Sequence, residues 1–348
     1  MTVADLGLFF PPGSHVVALP NWENPRLYLP ARGPLRSWRQ SSFYPAFRPG
    51  ARLYRLSLRL GAAAGLAETR TVLSSDWPLR RFTQEMLPQL ASAAILIGTS
   101  GPAQGITVQL RDEKTQVLGY LKYAHKDAAL RRLRHEYHIL SNLPAGIGPE
   151  PLKFGPFGNG EALLKSALPG ELLSAALPPP KALLSLLNSY VVLPPVPLKD
   201  HPWVRRVREL ETPELDAWLE PLADKSWPVA VQHGDFVPWN LLKESDGTLR
   251  AVDWEYATLE GFPYLDLAYY VLHTSALIHR RSPLEAASRA LECLSRLSSF
   301  ALNTREAQAL ICLAAFDAYR KSSEDGQPPD NGLQVWRRAI WGGTACSA

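Results

Sequence analysis

The chain has 348 residues, of which 46% are apolar and 20% are charged, and its formal net charge is +4. The composition is typical of a folded protein, and the length indicates about two domains with a substantial core. Because the positive charge is small and Lys and Arg form no long runs, nucleic acid is not expected as a partner.

Neither a membrane span nor a secretion signal is indicated by the sequence. No run of about eighteen apolar residues occurs, and the first residues lack the basic and apolar regions of a signal peptide. We therefore expect no membrane partner. Cys293, Cys312 and Cys346 are widely spaced and form no metal-ligand pattern. We expect reduced thiols in a cytoplasmic protein rather than a disulfide framework.

Residues 1–90 are rich in proline and aromatic side chains, which argue against disorder. We interpret them as an ordered N-terminal extension of unknown role that packs on the rest of the chain. The mainly apolar stretch His15–Leu19 predicts a strand. The near-strict alternation of leucine with polar residues over 51–60 predicts a second, half-exposed strand. The alternative is a separate recognition module.

Three strands are predicted between residues 93 and 123, followed by a helix over 128–143. The loop between the first two strands contains Gly98, Ser100 and Gly101. Backbone N–H groups at such a hairpin tip can contact phosphates, but glycines are also common in ordinary turns. Both interpretations of the loop stay open at this point.

Two further strands are predicted near 151–154 and 161–165, and the second leads through 166–168 into a Pro-Gly pair. This pattern is typical of a domain boundary. From residue 171 onward, apolar residues at helical spacing predict a mainly helical region, with one of its helices over 181–193.

Residues 233–255 read HGDFVPWNLLKESDGTLRAVDWE. An Asp-Gly turn between two apolar segments predicts a hairpin, which would hold Asp235, Asn240 and Asp253 at one mouth. Phosphoryl transfer needs one carboxylate to orient the attacking hydroxyl, a role that fits Asp235. Mg²⁺ prefers hard oxygen ligands, which Asn240 and Asp253 offer. The alternative is a hairpin with solvated acids at its turns.

The pattern His-Gly-Asp-x-x-x-x-Asn, followed by an apolar strand and Asp-Trp-Glu, resembles the catalytic and metal loops of the aminoglycoside phosphotransferase and choline kinase family, relatives of protein kinases. The stretch 263–268, PYLDLA, is similar as well. In the family, the aspartate at position 266 of this chain braces the catalytic loop. The resemblance covers about residues 91–325.

The resemblance implies an α+β, two-lobed, protein-kinase-like fold with a small antiparallel-sheet N-lobe and a mainly helical C-lobe. We expect the extension at 1–90, the nucleotide-binding N-lobe at 91–165 and the helical C-lobe with the catalytic and metal loops at 166–348. The extension and the spacing of the glycine loop depart from the family pattern, which puts the specificity in doubt more than the reaction.

The resemblance also assigns roles. A strand lysine that contacts the nucleotide phosphates is held by a helix glutamate, and a linker between the lobes contacts the adenine. The residues with these roles are catalytic Asp235, with His233 bracing its loop; nucleotide-binding Lys122, Glu136, Gly98, Ser100, Gly101, Ser166 and Leu168; and metal-binding Asn240 and Asp253. Asp235 is expected to act at an ordinary carboxylate pKa.

The sequence therefore predicts an ATP-dependent phosphotransferase, with GTP as the alternative nucleotide and Mg²⁺ as the metal. Its acceptor would be a hydroxyl group of a small molecule: a sugar-like compound, an amino alcohol or an aminoglycoside. Fold and motif determine the reaction but not the acceptor pocket. A catalytically silent nucleotide-binding or scaffold protein is the alternative function.

Overall fold

The computed structural model describes residues 3–31, 33, 41–43, 49–64, 68–98, 101, 103–210, 212–297 and 301–342. The chain forms two compact units. The first comprises Met1–Tyr137 and Pro149–Leu168, and the second comprises His138–Gly148 and Pro169–Ala348.

The first unit is built on an eight-stranded antiparallel sheet with strand order β3-β1-β2-β4-β5-β6-β8-β7. Its strands are β1 His15–Leu19, β2 Leu27–Pro30, β3 Thr69–Thr71, β4 Ser92–Ile97, β5 Ile106–Arg111, β6 Val117–Ala124, β7 Pro151–Phe157 and β8 Gly160–Ser166. The strands predicted between 93 and 123, and near 151–154 and 161–165, are all present.

Among its described residues, the first unit contains the helices Val3–Leu6, Pro49–Ala63 and Pro78–Thr83. The helix Asp127–Asn142 begins in the first unit and ends in the second. It confirms the helix predicted over 128–143.

The N-terminal segment contributes to the sheet and its core. Strand β2 pairs with β4, so that β1, β2 and β3 extend the sheet. The Phe9 side chain is fully buried, and its ring lies 5.6 Å from that of Tyr123 and 5.5 Å from that of Phe157. The segment therefore packs as an ordered part of the first unit.

The prediction of a strand over 51–60 is wrong, because these residues belong to the helix Pro49–Ala63. The alternation of leucine with polar residues is real, but the segment contains only Leu, Arg, Ala, Tyr and Ser. Leu, Arg and Ala are strong helix formers, and no β-branched residue favours a strand here.

The second unit contains two three-stranded sheets with orders β10-β11-β14 and β13-β12-β9. Their strands are β9 Glu171–Leu172, β10 Val191–Pro197, β11 Ser226–Gln232, β12 Leu241–Lys243, β13 Leu249–Ala251 and β14 Thr258–Gly261. The longer helices of the unit are Ala182–Ser189, Leu265–Leu277, Pro283–Leu297, Thr304–Glu324 and Gly332–Trp341, and shorter ones span Pro202–Arg208 and Leu215–Leu219.

An antiparallel sheet in the first unit and a mainly helical second unit confirm the expected α+β fold class. The helix predicted over 181–193 ends at Ser189, because the β-branched pair Val191-Val192 and two prolines start a strand instead. Among the described residues, none of the helices is long and apolar enough to cross a bilayer.

The cysteine expectation is partly wrong. Cys293 is a buried free thiol, whereas Cys312 is disulfide-bonded. Wide spacing in the sequence does not show which thiols meet in the fold. One of the observations behind the cytoplasmic expectation is thereby removed.

Replacement of Phe9 by alanine tests whether the N-terminal segment completes the core of the first unit. Because Phe9 is fully buried against two aromatic rings, Phe9→Ala should lower the free energy of unfolding by about 3–5 kcal/mol. Urea unfolding followed by circular dichroism measures it. Met86→Ala, at a side chain that is 45% exposed, is the control, and a similar small loss in both variants would contradict the packing.

Candidate functional site

The predicted catalytic loop follows strand β11 and is held by one carboxylate. The backbone N–H of His233 donates to Asp266 Oδ2 (2.6 Å), and that of Gly234 donates to Asp266 Oδ1 (3.0 Å). Asp266 is buried in the first turn of helix Leu265–Leu277. Burial raises the pKa of this carboxyl, and the two N–H donors oppose the rise. Asp266 thus braces the loop.

Gly234 has a φ of +78°, in the left-handed region that favours glycine. A Cβ atom at this position would lie 2.3 Å from the backbone oxygen of Tyr256. Both the backbone conformation and the close approach therefore require glycine between His233 and Asp235.

His233 is fully buried and is held on both ring nitrogens. Its Nδ1 accepts from the backbone N–H of Asp235 (3.3 Å), which places the ring proton on Nε2, 2.9 Å from the Val252 oxygen. The ring also lies 4.6 Å from that of Trp254. This tautomer fixes the loop against the segment that follows β13.

The Asp235 carboxylate is oriented by two donors. The Tyr269 hydroxyl donates to Oδ1 (2.8 Å), and Asn240 Nδ2 donates to Oδ2 (2.9 Å) and to the backbone oxygen of Asp235 (2.9 Å). Asn240 ends a single 3-10 turn, Pro238–Asn240. Because its amide nitrogen is used on Asp235, its Oδ1 is the atom left for a cation.

The pKa of Asp235 is raised by burial first and by the charge of Asp253 second, while the donors Tyr269 and Asn240 and the charge of Arg337 lower it. The expectation of an ordinary pKa is therefore wrong for this structure. Burial of a carboxylate disfavours its charged form, and the sequence did not show how deeply the loop is packed.

The β12–β13 hairpin brings Asp253, the second predicted metal ligand, to the same loop. Strands β12 and β13 pair with each other, so that Leu241 lies opposite Ala251. The backbone N–H of Val252 donates to the backbone oxygen of Asn240 (2.9 Å). Asp253 follows with a φ of +71°, a conformation that costs a non-glycine residue energy and is common at functional sites. Asp235, Asn240 and Asp253 thus lie at one end of this hairpin, as the sequence predicts.

A layer of side chains behind Asp235 was missed from the sequence. The Tyr269 ring stacks on the His273 ring, with 3.7 Å between the ring centroids. His273 Nδ1 donates to the backbone oxygen of Tyr269 (3.2 Å). Arg337 donates to His273 Nε2 from Nε (3.2 Å) and Nη2 (3.0 Å). The four-residue spacing of Tyr269 and His273 on one helix could have predicted their contact. The contact of Arg337 with His273 could not be predicted in this way, because Arg337 lies far along the chain.

The first unit carries a buried ion cluster. Lys122 on β6 and Lys165 on β8 both pair with Glu136, at 2.6 Å and 2.5 Å, and the Glu136 side chain is fully buried. The predicted Lys122–Glu136 pair therefore forms. Glu136 therefore holds two ammonium groups in place, and an ammonium group can bind an anion such as phosphate.

Lys165 was not predicted. Strand β8 places Leu163 opposite Lys122, so Lys165, two residues further, points to the same face of the sheet. The alternation within β8 was visible in the sequence, but the register with β6 was not.

The other predicted nucleotide-binding residues lie in the loop between β4 and β5 and at the end of β8 and beyond it. The Gly98 N–H donates to the Gly105 oxygen (3.0 Å) and closes the β4–β5 hairpin. Gly101 has a φ of +156°, and Ser100 lies outside the described residues. The Ser166 N–H donates to the Glu150 oxygen (2.9 Å). Leu168 is the last residue of the first unit.

Residues 173–302 match the model of the phosphotransferase enzyme family. The matched stretch includes the catalytic loop, the hairpin and helix Leu265–Leu277, and it confirms the resemblance to the aminoglycoside phosphotransferase and choline kinase group. No curated protein sequence matches the chain significantly.

Three solved structures are similar to this chain. Choline kinase LicA from Streptococcus pneumoniae is 15% identical over 78% of this chain and 98% of its own, with a TM-score of 0.48. An aminoglycoside phosphotransferase from Streptomyces rimosus is 19% identical over 67% and 97%, with a TM-score of 0.38. Plasmodium vivax ethanolamine kinase is 11% identical over 89% and 94%, with a TM-score of 0.43.

Gly234→Ala tests the close approach of the catalytic loop. The strained φ alone costs about 1–3 kcal/mol, and the clash with the Tyr256 oxygen should add to this loss. Gly247→Ala is the matched control, because Gly247 has a φ of +90° but nothing within 4 Å of an added Cβ. Urea unfolding should show a larger loss for Gly234→Ala, and equal losses would contradict the geometry.

The buried imidazole of His273 predicts a pH dependence. Burial first and the charge of Arg337 second hold its pKa well below the usual value. The unfolded state therefore binds a proton below about pH 6.5 that the folded state does not bind, and stability falls by about 1.4 kcal/mol per pH unit as the pH drops.

Urea unfolding of wild type and His273→Gln between neutral pH and pH 5 measures this contribution. The variant removes the titrating group but keeps an acceptor for Arg337, so the slope of its unfolding free energy against pH should be smaller. Identical slopes would show that His273 does not carry the effect.

Proposed function

We propose that this chain, which carries the phosphotransferase loop and hairpin, is a small-molecule kinase. It transfers the γ-phosphoryl group of ATP, with GTP as the alternative nucleotide, to a hydroxyl group of a small acceptor. The observation that most directly supports this proposal is the orientation of the Asp235 carboxylate. Tyr269 and Asn240 orient it within a loop that Asp266 braces.

Asp235 acts as the general base in this proposal. It accepts a hydrogen bond from the acceptor hydroxyl, orients its oxygen towards the phosphorus, and takes the proton late, because the transition state of phosphoryl transfer is loose. Burial raises the pKa of Asp235, which favours proton acceptance. His233 braces the loop by its two ring hydrogen bonds and transfers no proton.

Asn240 and Asp253 would hold Mg²⁺. The donor set fits, because an amide oxygen and a carboxylate are hard ligands. The charge of Asp253 also raises the pKa of Asp235, and a cation at Asp253 would relieve this repulsion between carboxylates. When bound, Mg²⁺ would neutralise charge on the phosphate oxygens.

Lys122 would contact the nucleotide phosphates, with Glu136 fixing its ammonium group and Lys165 adding a second positive charge to the cluster. Gly98, Ser100 and Gly101 would offer backbone N–H groups to the phosphates. The stretch 166–168 would contact the adenine, through groups other than the Ser166 N–H, which is bonded to Glu150.

The acceptor class that we favour is a sugar-like or other small hydroxylated metabolite. Amino alcohols and aminoglycosides stay as alternatives, because the fold and the motif determine the reaction and not the pocket. A screen of hydroxylated compounds for ADP release separates these classes.

Calorimetry with MgATP and MgGTP tests the nucleotide and metal sites. Wild type should bind at least one nucleotide in a Mg²⁺-dependent way, and Asp253→Asn should abolish the dependence on Mg²⁺. Asp246→Asn is the matched control, since Asp246 is an exposed acid of the same hairpin. Unchanged binding by Asp253→Asn would exclude Asp253 as a ligand.

Turnover with the acceptor found in the screen tests the base. Asp235→Asn keeps the shape of the side chain but cannot take the proton, so its kcat should fall by about a thousandfold with unfolding free energy near that of wild type. Loss of less than tenfold would contradict the role. Well-folded protein that binds nucleotide but turns over no acceptor would instead support the catalytically silent alternative.

A further inference from the structure

Residues 24–67 hold an unusual concentration of positive charge. This segment contains eight arginines and no lysine, aspartate or glutamate, although the net charge of the entire chain is only +4. The remainder of the chain is therefore net negative. Like charges held together in one segment create a local field that attracts an anionic partner.

Within this segment, the helix Pro49–Ala63 repeats an Arg-Leu pair three times, at 52–53, 55–56 and 59–60. The i, i+3, i+7 spacing places the three leucines in one row along the helix. The three arginines have the same spacing one position earlier, so their row runs beside the leucine row, turned by about 100°.

The leucine row faces away from the protein. Leu53, Leu56 and Leu60 are 71%, 43% and 55% exposed, whereas Leu58, on another face of the helix, is 8% exposed. Leu58 packs in a core cluster with Val17 and other sheet residues. One face therefore anchors the helix, and the leucine row is presented to the surroundings.

We propose that the helix Pro49–Ala63 is a peripheral membrane-binding element that docks on a surface of anionic lipids. The leucine row enters the boundary between headgroups and acyl chains, and the arginine row contacts lipid phosphates. A helix with an apolar face beside a basic face lies in the membrane interface in this way, and each basic residue near an anionic leaflet adds to the attraction. Arginine also binds phosphate oxygens by paired N–H donors.

The leucine row favours lipid over a nucleic acid as the anionic partner. A phosphate backbone would engage the arginines but would leave three exposed leucine side chains without an apolar environment, whereas a lipid surface satisfies both rows. This proposal departs from the expectation of no membrane partner, which rested on the lack of a spanning segment and of a secretion signal. A helix that lies within the interface needs no such segment.

Co-sedimentation of the full chain with vesicles tests the proposal. The chain should bind vesicles of phosphatidylcholine mixed with anionic phosphatidylglycerol, and bind those of phosphatidylcholine alone at least about tenfold more weakly. Binding should weaken as salt rises from about 0.1 M to 1 M, since the screening length falls from about 10 Å to about 3 Å.

Two triple variants separate the two rows. Leu53→Ser with Leu56→Ser and Leu60→Ser should lower the vesicle partition coefficient at least about tenfold by removing the inserted side chains. Replacement of Arg52, Arg55 and Arg59 by Gln should remove the preference for anionic vesicles. The matched control is Leu284→Ser with Val335→Ser, at exposed apolar side chains of other helices, and it should bind as wild type does.

Unchanged binding by the leucine variant would overturn the proposal, as would no binding to either vesicle. Tighter binding to a single-stranded oligonucleotide than to anionic vesicles, unaffected by the leucine variant, would assign the arginines to nucleic acid instead. Circular dichroism and urea unfolding of each variant show that any loss of binding is not a loss of fold.

Discussion

The two hydrogen bonds that Asp266 accepts from the backbone of His233 and Gly234 are the constraint on which the catalytic loop depends. Nothing within an isolated loop of this sequence would hold Gly234 in the left-handed conformation and Asp235 half-buried. The carboxylate at the start of a helix supplies the acceptor for both N–H groups, which would otherwise be buried without partners. Once they are fixed, the direction of Asp235 follows.

The two units stabilise their carboxylates in different ways. In the first unit, the buried Glu136 carboxylate pairs with two lysine ammonium groups. A buried carboxylate is costly unless partners compensate its charge. In the second unit, the half-buried Asp235 carboxylate is oriented by the donors Tyr269 and Asn240, which lower its pKa against the effects of burial and of the Asp253 charge.

The local elements of this fold could be predicted from the sequence, and the packing between distant elements could not. The hairpin that joins Asn240 to Asp253 followed from its turn and its apolar segments. Lys165 was missed because its partner is set by strand register, and Arg337 because it reaches His273 from another helix. The helix Pro49–Ala63 could not be predicted from alternation alone, because its leucines alternate with polar residues while the helix propensity of Leu, Arg and Ala determines the structure.

The layer of side chains behind Asp235 extends beyond the part of the chain that matches the family model. That match ends at residue 302, yet Arg337 lies against His273, which stacks on the tyrosine that orients Asp235. The charge of Arg337 lowers the pKa of Asp235 against the effect of burial. In the proposed reaction the loop motif would supply the reacting groups, and Arg337, on a helix outside the matched region, would affect how readily Asp235 takes a proton.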